Sequence, residues 1–251
     1  MLSTERRKLI LEKLQAEKKV IVNELSGLFN VSDETIRRDL DRLYQEGLAI
    51  KGYGGAVLNE DGPDLPFNIR KIHRPDEKRK IAGLVEPFVQ DGDSIFLDAS
   101  TTAVFVAKAL KSKKRLKIIT NSIEVMLELS DMSDWTVIST GGHLTGDYLA
   151  FSGQRAVTDI ATFCADKVIF SCKGIDLQHG ILESNDAFAQ VKREMIKAAR
   201  TKILAADTSK FDKTALCKIA DFSDINMVVT NGQVSDQWQT VFDASGVDVV
   251  F

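Results

Sequence analysis

Cysteine and histidine are both scarce. There are three of each in 251 residues; Cys164, Cys172 and Cys217 show no Cys-x-x-Cys spacing, and His73, His143 and His179 lie far apart, so no metal site and no cofactor is expected. Each cysteine sits within or beside an apolar stretch, where it reads as a small buried hydrophobe, not a redox sensor. Long apolar runs are also missing. None approaches the eighteen or so residues of a membrane span, and the N-terminal Glu5, Arg6, Arg7 and Lys8 offer no apolar stretch of a signal peptide, so a cytoplasmic protein is expected. The length accommodates two domains.

What is present is concentrated between Val31 and Leu40. Ser32 is a good N-cap, and Asp33 and Glu34 place negative charge at the positive end of a helix that starts at Asp33. Val31 and Ile36 are spaced as a hydrophobic staple, and Ile36, Leu40 and Leu43 share one face. At about 100° per residue, Glu34, Arg38, Asp41 and Arg42 fall on the far side, with Thr35 and Arg37 on the flanks. A second short amphipathic helix precedes it, built on Val22, Leu25, Leu28 and Phe29, and Asn30 tolerates the left-handed turn between them. Two short helices so joined form a helix-turn-helix, whose second helix enters the DNA major groove.

A first helix over residues 4–16 supports the pair, with Ile10 and Leu14 inward and Arg6, Arg7, Lys8 and Lys13 outside. Asp39, about 60° from the core face, is placed to pair with Arg6 or Arg7. After Gly47, residues 48–50 and 53–57 read as two strands around Lys51 and Gly52, the wing of a mainly α winged helix. DNA-contacting side chains are therefore expected at Ser32, Glu34, Thr35, Arg37, Arg38, Arg42, Lys51 and Tyr53. Residues 1–80 carry 16 Lys+Arg against 14 Asp+Glu, a balance of +2, and the remainder −5. Affinity must then come from local placement of Arg and Lys and from dimerisation, not from a general positive field.

Residues 59–66 hold turn residues and two of the four prolines. The organisation expected is a winged helix-turn-helix over 1–58, a linker over 59–75, and an α/β effector domain over 76–251 that opens with a helix at 76–88. From residue 93, apolar strands alternate with helices: 94–97, 116–119, 136–139, 167–170, 202–205, 227–230 and 247–250. That alternation predicts a mostly parallel sheet with helices on both faces, and ligands bind beyond the carboxyl ends of such strands. Ser100, Thr101 and Thr102 open a helix directly after a strand, a position suited to a phosphate. Asn121 and Ser122 end the next strand, and Gly141 and Gly142 leave room for a ligand. Lys210 supplies a cation, and Asp98 and Asp176 acceptors for sugar hydroxyls.

The block Ser32, Thr35, Ile36, Arg37, Arg38, Asp39, Leu40, with Arg6, Ile10 and Leu14 before it, resembles the N-terminal signature of the DeoR family of bacterial sugar-metabolism repressors. The likeness continues through Asp98, Thr101 and Thr102, residues 120–122 and 140–142, Asp207 and residues 209–211. It departs at Ser100, commonly Gly in the family, and in the wing at residues 51–55. The resemblance implies an effector domain with a ribose-5-phosphate isomerase-like fold that binds a phosphorylated sugar. Lys173, Asp176, Glu183 and Lys192 are potential acid–base groups, so an isomerase-like enzyme with an accessory DNA-binding domain is the alternative reading. Fold analogy is a weak warrant for activity, and a DNA-binding domain on the same chain favours sensing, with Lys173 and Glu183 as effector contacts. The expectation is a non-enzymatic, homo-oligomeric repressor of carbohydrate genes, bound to a double-stranded DNA operator and released by a phosphorylated sugar.

Overall fold

The computed structural model describes residues 2–45, 47–59 and 66–251, the side chain of Gln15 excepted. They fall into two compact units, Met1–His73 and Arg74–Phe251. The central part of the expected linker, residues 60–65, lies outside the described residues.

In the first unit, α1 (Ser3–Glu17) leads through β1 (Lys19–Ile21) into α2 (Val22–Phe29) and α3 (Asp33–Gln45). Asn30 takes the left-handed conformation at the end of α2, as a tight turn requires. Ser32 starts α3, its Oγ accepting from Thr35 N at 3.3 Å. Ile10, Leu14, Val22, Leu25, Ile36, Leu40 and Leu43 form one core. Leu28 does not join it and is 63% exposed, because at 100° per residue it falls about 60° beyond Leu25, at the margin of the apolar stripe. Arg6, expected outside, is buried and its Nε donates to Asp39 Oδ2 at 2.5 Å.

The wing comprises β2 (Ala49–Gly52) and β3 (Gly55–Leu58). With β1, which the sequence pattern hid, they make an antiparallel sheet of order β1-β3-β2. Gly55 is dictated by this pairing, since a Cβ there would stand 1.9 Å from the Val20 carbonyl oxygen. Residues 67–72, assigned to the linker from sequence, form helix α4 (Phe67–Ile72); Phe67 is buried, and Ile69 and Ile72 pack on the first unit's core.

The second unit runs α5 (Pro75–Val85), β4 (Ser94–Leu97), α6 (Thr101–Ala109), β5 (Lys117–Thr120), α7 (Ile123–Glu128) and β6 (Thr136–Ser139). A hairpin follows, β7 (His143–Thr145) and β8 (Ala150–Ser152), then α8 (Gln154–Ile160) and β9 (Ala165–Phe170). Next come β10 (Gly174–Asp176), β11 (Gly180–Glu183), α9 (Asp186–Lys197), β12 (Ala199–Ala205) and β13 (Cys217–Ala220). The unit ends with β14 (Met227–Val229), α10 (Asp236–Ser245) and β15 (Asp248–Val250).

All seven strands expected from the apolar pattern are present and form one sheet, β15-β14-β12-β9-β4-β5-β6, parallel throughout. The chain winds outward from β4 through β5 and β6, then returns to the other side of β4 with β9 and continues to β12, β14 and β15. The direction reverses between β4 and β9, and in such a sheet the crevice for a ligand opens there, beyond the carboxyl ends. β10, β11 and β13 make a small separate antiparallel sheet, and β7 and β8 a two-stranded one.

Of the cysteines, Cys172 is buried, and burial pushes its thiol up to about 12, so it is inert. Cys164 is exposed and Cys217 half-buried, contrary to the expectation that all three are core. Cys217 opens β13, where the alternation of strand faces carries its side chain partly out of the core, and Cys164 lies in the loop just before β9. Among the described residues no helix is long and apolar enough to cross a membrane.

Candidate functional sites

On α3 the residues expected to meet DNA are presented together. Ser32, Glu34, Arg37, Arg38 and Arg42 are exposed and Thr35 is half-buried. Their internal bonds are those of surface groups: Arg38 Nε to Glu34 Oε1 at 3.2 Å, Arg42 Nη1 to Gln45 Oε1 at 3.5 Å, and Ser32 Oγ with Thr35 Oγ1 at 2.9 Å. Exposed pairs of this kind are worth about 0–1 kcal/mol, so a phosphate displaces them at little cost. The wing adds Lys51, held 3.1 Å from Asp41 and over the ring of Tyr44, and Tyr53, fully exposed beside Gly54 at φ +74°. The Arg6–Asp39 pair behind α3 is the opposite case. Buried on both sides, it fixes the helix to α1.

In the second unit, the sheet brings to one edge the turns after β4 (Asp98, Ser100, Thr101, Thr102), β5 (Asn121, Ser122), β6 (Gly141, Gly142), β9 (Lys173) and β12 (Lys210). β4 and β5 pair in register at Leu97 and Thr120, so Asp98 and Asn121 are neighbours across two strand ends. The first-turn N–H groups of Thr101 and Thr102 have no intrahelical acceptor, and they lie at the positive end of α6. Asn121 is 1% exposed; its Nδ2 donates to the Phe151 carbonyl at 2.7 Å, while its Oδ1 is buried with no partner. An orphaned acceptor beside a helix N-terminus is a site that a ligand hydroxyl completes.

Six expected contacts are corrected: Asp98, Ser100, Ser122, Gly141, Gly142 and Asp176. Asp98 is wholly buried and spends its carboxylate internally. Oδ1 accepts from Ser100 N at 3.2 Å and Ser100 Oγ at 2.6 Å, and Oδ2 from Ser171 N at 3.1 Å with Lys192 Nζ at 3.2 Å. A carboxylate has about four lone-pair positions, so none remains for a sugar hydroxyl. Ser100 is also occupied, since its Oγ caps α6 by accepting from Ala103 N at 3.0 Å as it donates to Asp98. Ser122 is likewise wholly buried, its Oγ capping α7 by accepting from Val125 N at 3.2 Å.

Gly141 and Gly142 make room for protein, not ligand. A Cβ on Gly142 would stand 2.5 Å from the Ser152 carbonyl oxygen, and Gly141 N donates to Asp159 Oδ2 at 2.7 Å. Asp176 closes the β10–β11 turn, accepting from Gln178 N and His179 N at 2.9 Å and meeting His179 Nδ1 at 2.7 Å. That His179 bond, helped by the two backbone donors, holds its pKa below the ordinary carboxylate value. It lies three residues up the strand from Lys173, about 10 Å at the usual rise.

Lys192 is the group that sequence reasoning undervalued. Its Nζ donates to the Ser171 carbonyl at 2.7 Å and lies against Asp98 and Glu183, all at the point where the sheet reverses. Burial works against its charge, but Glu183 and then Asp98 more than offset this and hold its pKa above the ordinary lysine value. The available signal was periodicity: Phe188, Val191, Met195 and Ile196 make the buried face of α9, and Lys192 stands on that face. Glu183 Oε1 accepts from Ser184 N at 2.9 Å while its other oxygen faces Lys192. A carboxylate so engaged and an ammonium so held are poor agents of proton abstraction. Across β12, burial alone would raise the Asp207 pKa, yet Lys210 and the Ser209 bonds hold it below the ordinary value, so Lys210 stands beside an ionised carboxylate at that strand end.

An exposed recognition helix with its wing, on one chain with a doubly wound unit whose strand ends carry an open helix N-terminus, defines a DNA-binding regulator with a sensing domain. Residues 6–61 match the family model described as the DeoR-like helix-turn-helix domain, and residues 73–232 that of the DeoR C terminal sensor domain. The chain belongs to the DeoR family of transcriptional regulators. It is 38% identical to the HTH-type transcriptional regulator YulB of Bacillus subtilis, over 92% of this chain and 90% of that one. It is 35% identical to the L-fucose operon activator of Haemophilus influenzae (93% and 94%) and 34% identical to the transcriptional repressor AccR of Agrobacterium fabrum (90% and 89%). A ribose-5-phosphate isomerase of Methanocaldococcus jannaschii superposes with a TM-score of 0.40 at 14% identity, over 55% of this chain and 54% of that one. The relatives named are regulators, not enzymes.

Proposed function

We propose that this protein represses a set of carbohydrate-metabolism genes from the cytoplasm and leaves its operator when a small phosphorylated sugar fills the strand-end pocket. The organisation behind this reading is a DNA-binding domain over residues 1–58, a connection over 59–75 and an effector domain over 76–251. Operator contact is assigned to Ser32, Glu34, Thr35, Arg37, Arg38 and Arg42, with Lys51 and Tyr53 on the wing. The near-neutral charge of residues 1–80 favours a homo-oligomer, dimer or tetramer, that engages two half-sites together.

The observation that carries the effector assignment is the pairing of α6's N-terminus with the unsatisfied Asn121 Oδ1. The first suits a phosphate and the second a sugar hydroxyl, while Thr101, Thr102, Lys173 and Lys210 complete the pocket. Asp98 and Glu183 support it from below through Lys192.

The test is a gel-shift titration of purified protein on DNA from upstream of its own gene, repeated with a panel of sugar phosphates, the parent sugars and inorganic phosphate. Release by one sugar phosphate at a concentration where its parent sugar and inorganic phosphate have no effect is the expected result. Turnover of a sugar phosphate with operator binding untouched would support the isomerase reading instead.

A further inference from the structure

The hairpin β7–β8 was not visible in the sequence, and it folds against the carboxyl end of β5. Two glycines with left-handed φ bound it, Gly142 at +131° and Gly153 at +88°. Between them the chain folds back onto the end of β5: Phe151 N donates to the Asn121 carbonyl at 2.8 Å, Ile123 N to the Leu149 carbonyl at 2.9 Å, and Ala150 bridges Ser122. The hairpin therefore rests on the two residues that follow β5, beside the proposed effector site.

Its connecting turn carries Tyr148, whose ring stacks on Phe188 with centroids 4.3 Å apart and planes 25° apart. Phe188 is 4% exposed and Tyr148 half-buried, so the accessible aromatic surface of the pair belongs to Tyr148. Both rings pack with Ala99, between Asp98 and Ser100 at the start of α6, and with Ala150. Phe188 stands one helical turn before Lys192 on the same face of α9. The aromatic pair thus lies beside the helix terminus, above the buried Asp98–Lys192–Glu183 network.

We propose that Tyr148 is the residue that selects among sugar phosphates, its ring giving the carbon skeleton an apolar wall while the α6 terminus takes the phosphate. The division of labour is chemical. A phosphate is common to every ligand of the class and cannot distinguish them, whereas the C–H face of a sugar against an aromatic ring depends on chain length and on which hydroxyls are axial. This inference rests on the strand-end site being the effector pocket.

Calorimetric titration of the full chain with triose, pentose and hexose phosphates and with inorganic phosphate tests it, using wild type and Tyr148→Phe, Tyr148→Leu and Tyr148→Ala. The best wild-type sugar phosphate is expected to bind about tenfold more weakly to the Leu and Ala variants, a loss of about 1.4 kcal/mol. The Phe variant should keep both affinity and ranking, and inorganic phosphate should bind all four proteins alike. Leu maintains the packing volume, so it answers the question if Ala loosens the hairpin. An unchanged ranking in Tyr148→Leu overturns the proposal, as does equal weakening of inorganic phosphate or a loss in Tyr148→Phe matching that in Tyr148→Leu. Failure of wild type to bind any sugar phosphate would show separately that the effector reading itself is wrong, and would take this inference with it.

Discussion

Replacing Lys192 with Met isolates the buried network at the sheet's reversal point. The side chains of Lys192, Asp98 and Glu183 are 9%, 1% and 10% exposed, and the two carboxylates share this one ammonium. Met fills similar volume but leaves both carboxylates without it. Removing one partner of a buried ion pair costs about 3–5 kcal/mol. For a unit of this size each kcal/mol moves the melting temperature by about 2–4 °C, so the variant should melt about 6–20 °C lower. In wild type the folded-state pKa of Lys192 is raised, so its contribution is fully present below the unfolded lysine value near 10.4 and is lost only as pH rises through the folded value. At pH 7.5 the whole difference is therefore measurable. In the variant, protonating one carboxylate relieves the uncompensated charge, so the deficit should narrow as pH falls from 8 to 5. Calorimetric melting at several pH values is the assay. A melting temperature within about 2 °C of wild type, or a deficit that widens on acidification, would refute the claim that the lysine neutralises this site.

Asp39→Asn should lower the stability of the N-terminal unit by about 1–3 kcal/mol in denaturant unfolding, because it weakens the buried bond from Arg6, while base preference in a selected-sequence assay stays as in wild type. Arg37→Ala with Arg38→Ala should abolish operator binding in a gel shift without changing the circular dichroism spectrum, since both side chains are exposed.

The parallel sheet was legible because its central strands are largely buried and read as short apolar runs such as 94–97 and 167–170. The recognition helix was legible because cap, staple and apolar face agree over residues 31–43. β1, β7 and β8 were not, since each has three residues and owes its form to a partner distant in sequence. Helix α4 was hidden by the prolines and turn residues before it. In the pocket, position could be read from the strand ends, but the destination of each polar atom could not. Asp98 reads as a free carboxylate until Ser171 and Lys192, 73 and 94 places further on, are seen to consume it. Ser100 likewise reads as a ligand contact until its hydroxyl is seen to cap α6.

The central claim is that a phosphorylated sugar at the strand ends governs operator binding, and a ligand shifts such an equilibrium only by its differential affinity for the two states. The most direct measurement is fluorescence anisotropy of labelled operator bound to wild type, Thr101→Ala or Lys210→Ala, titrated with the inducing sugar phosphate. All three proteins are expected to bind operator with equal affinity in the absence of sugar, and the two variants to need at least about tenfold more of it for release, as the loss of one charge-assisted contact entails. Release of both variants at the wild-type concentration would contradict the account and place the effector elsewhere on the protein.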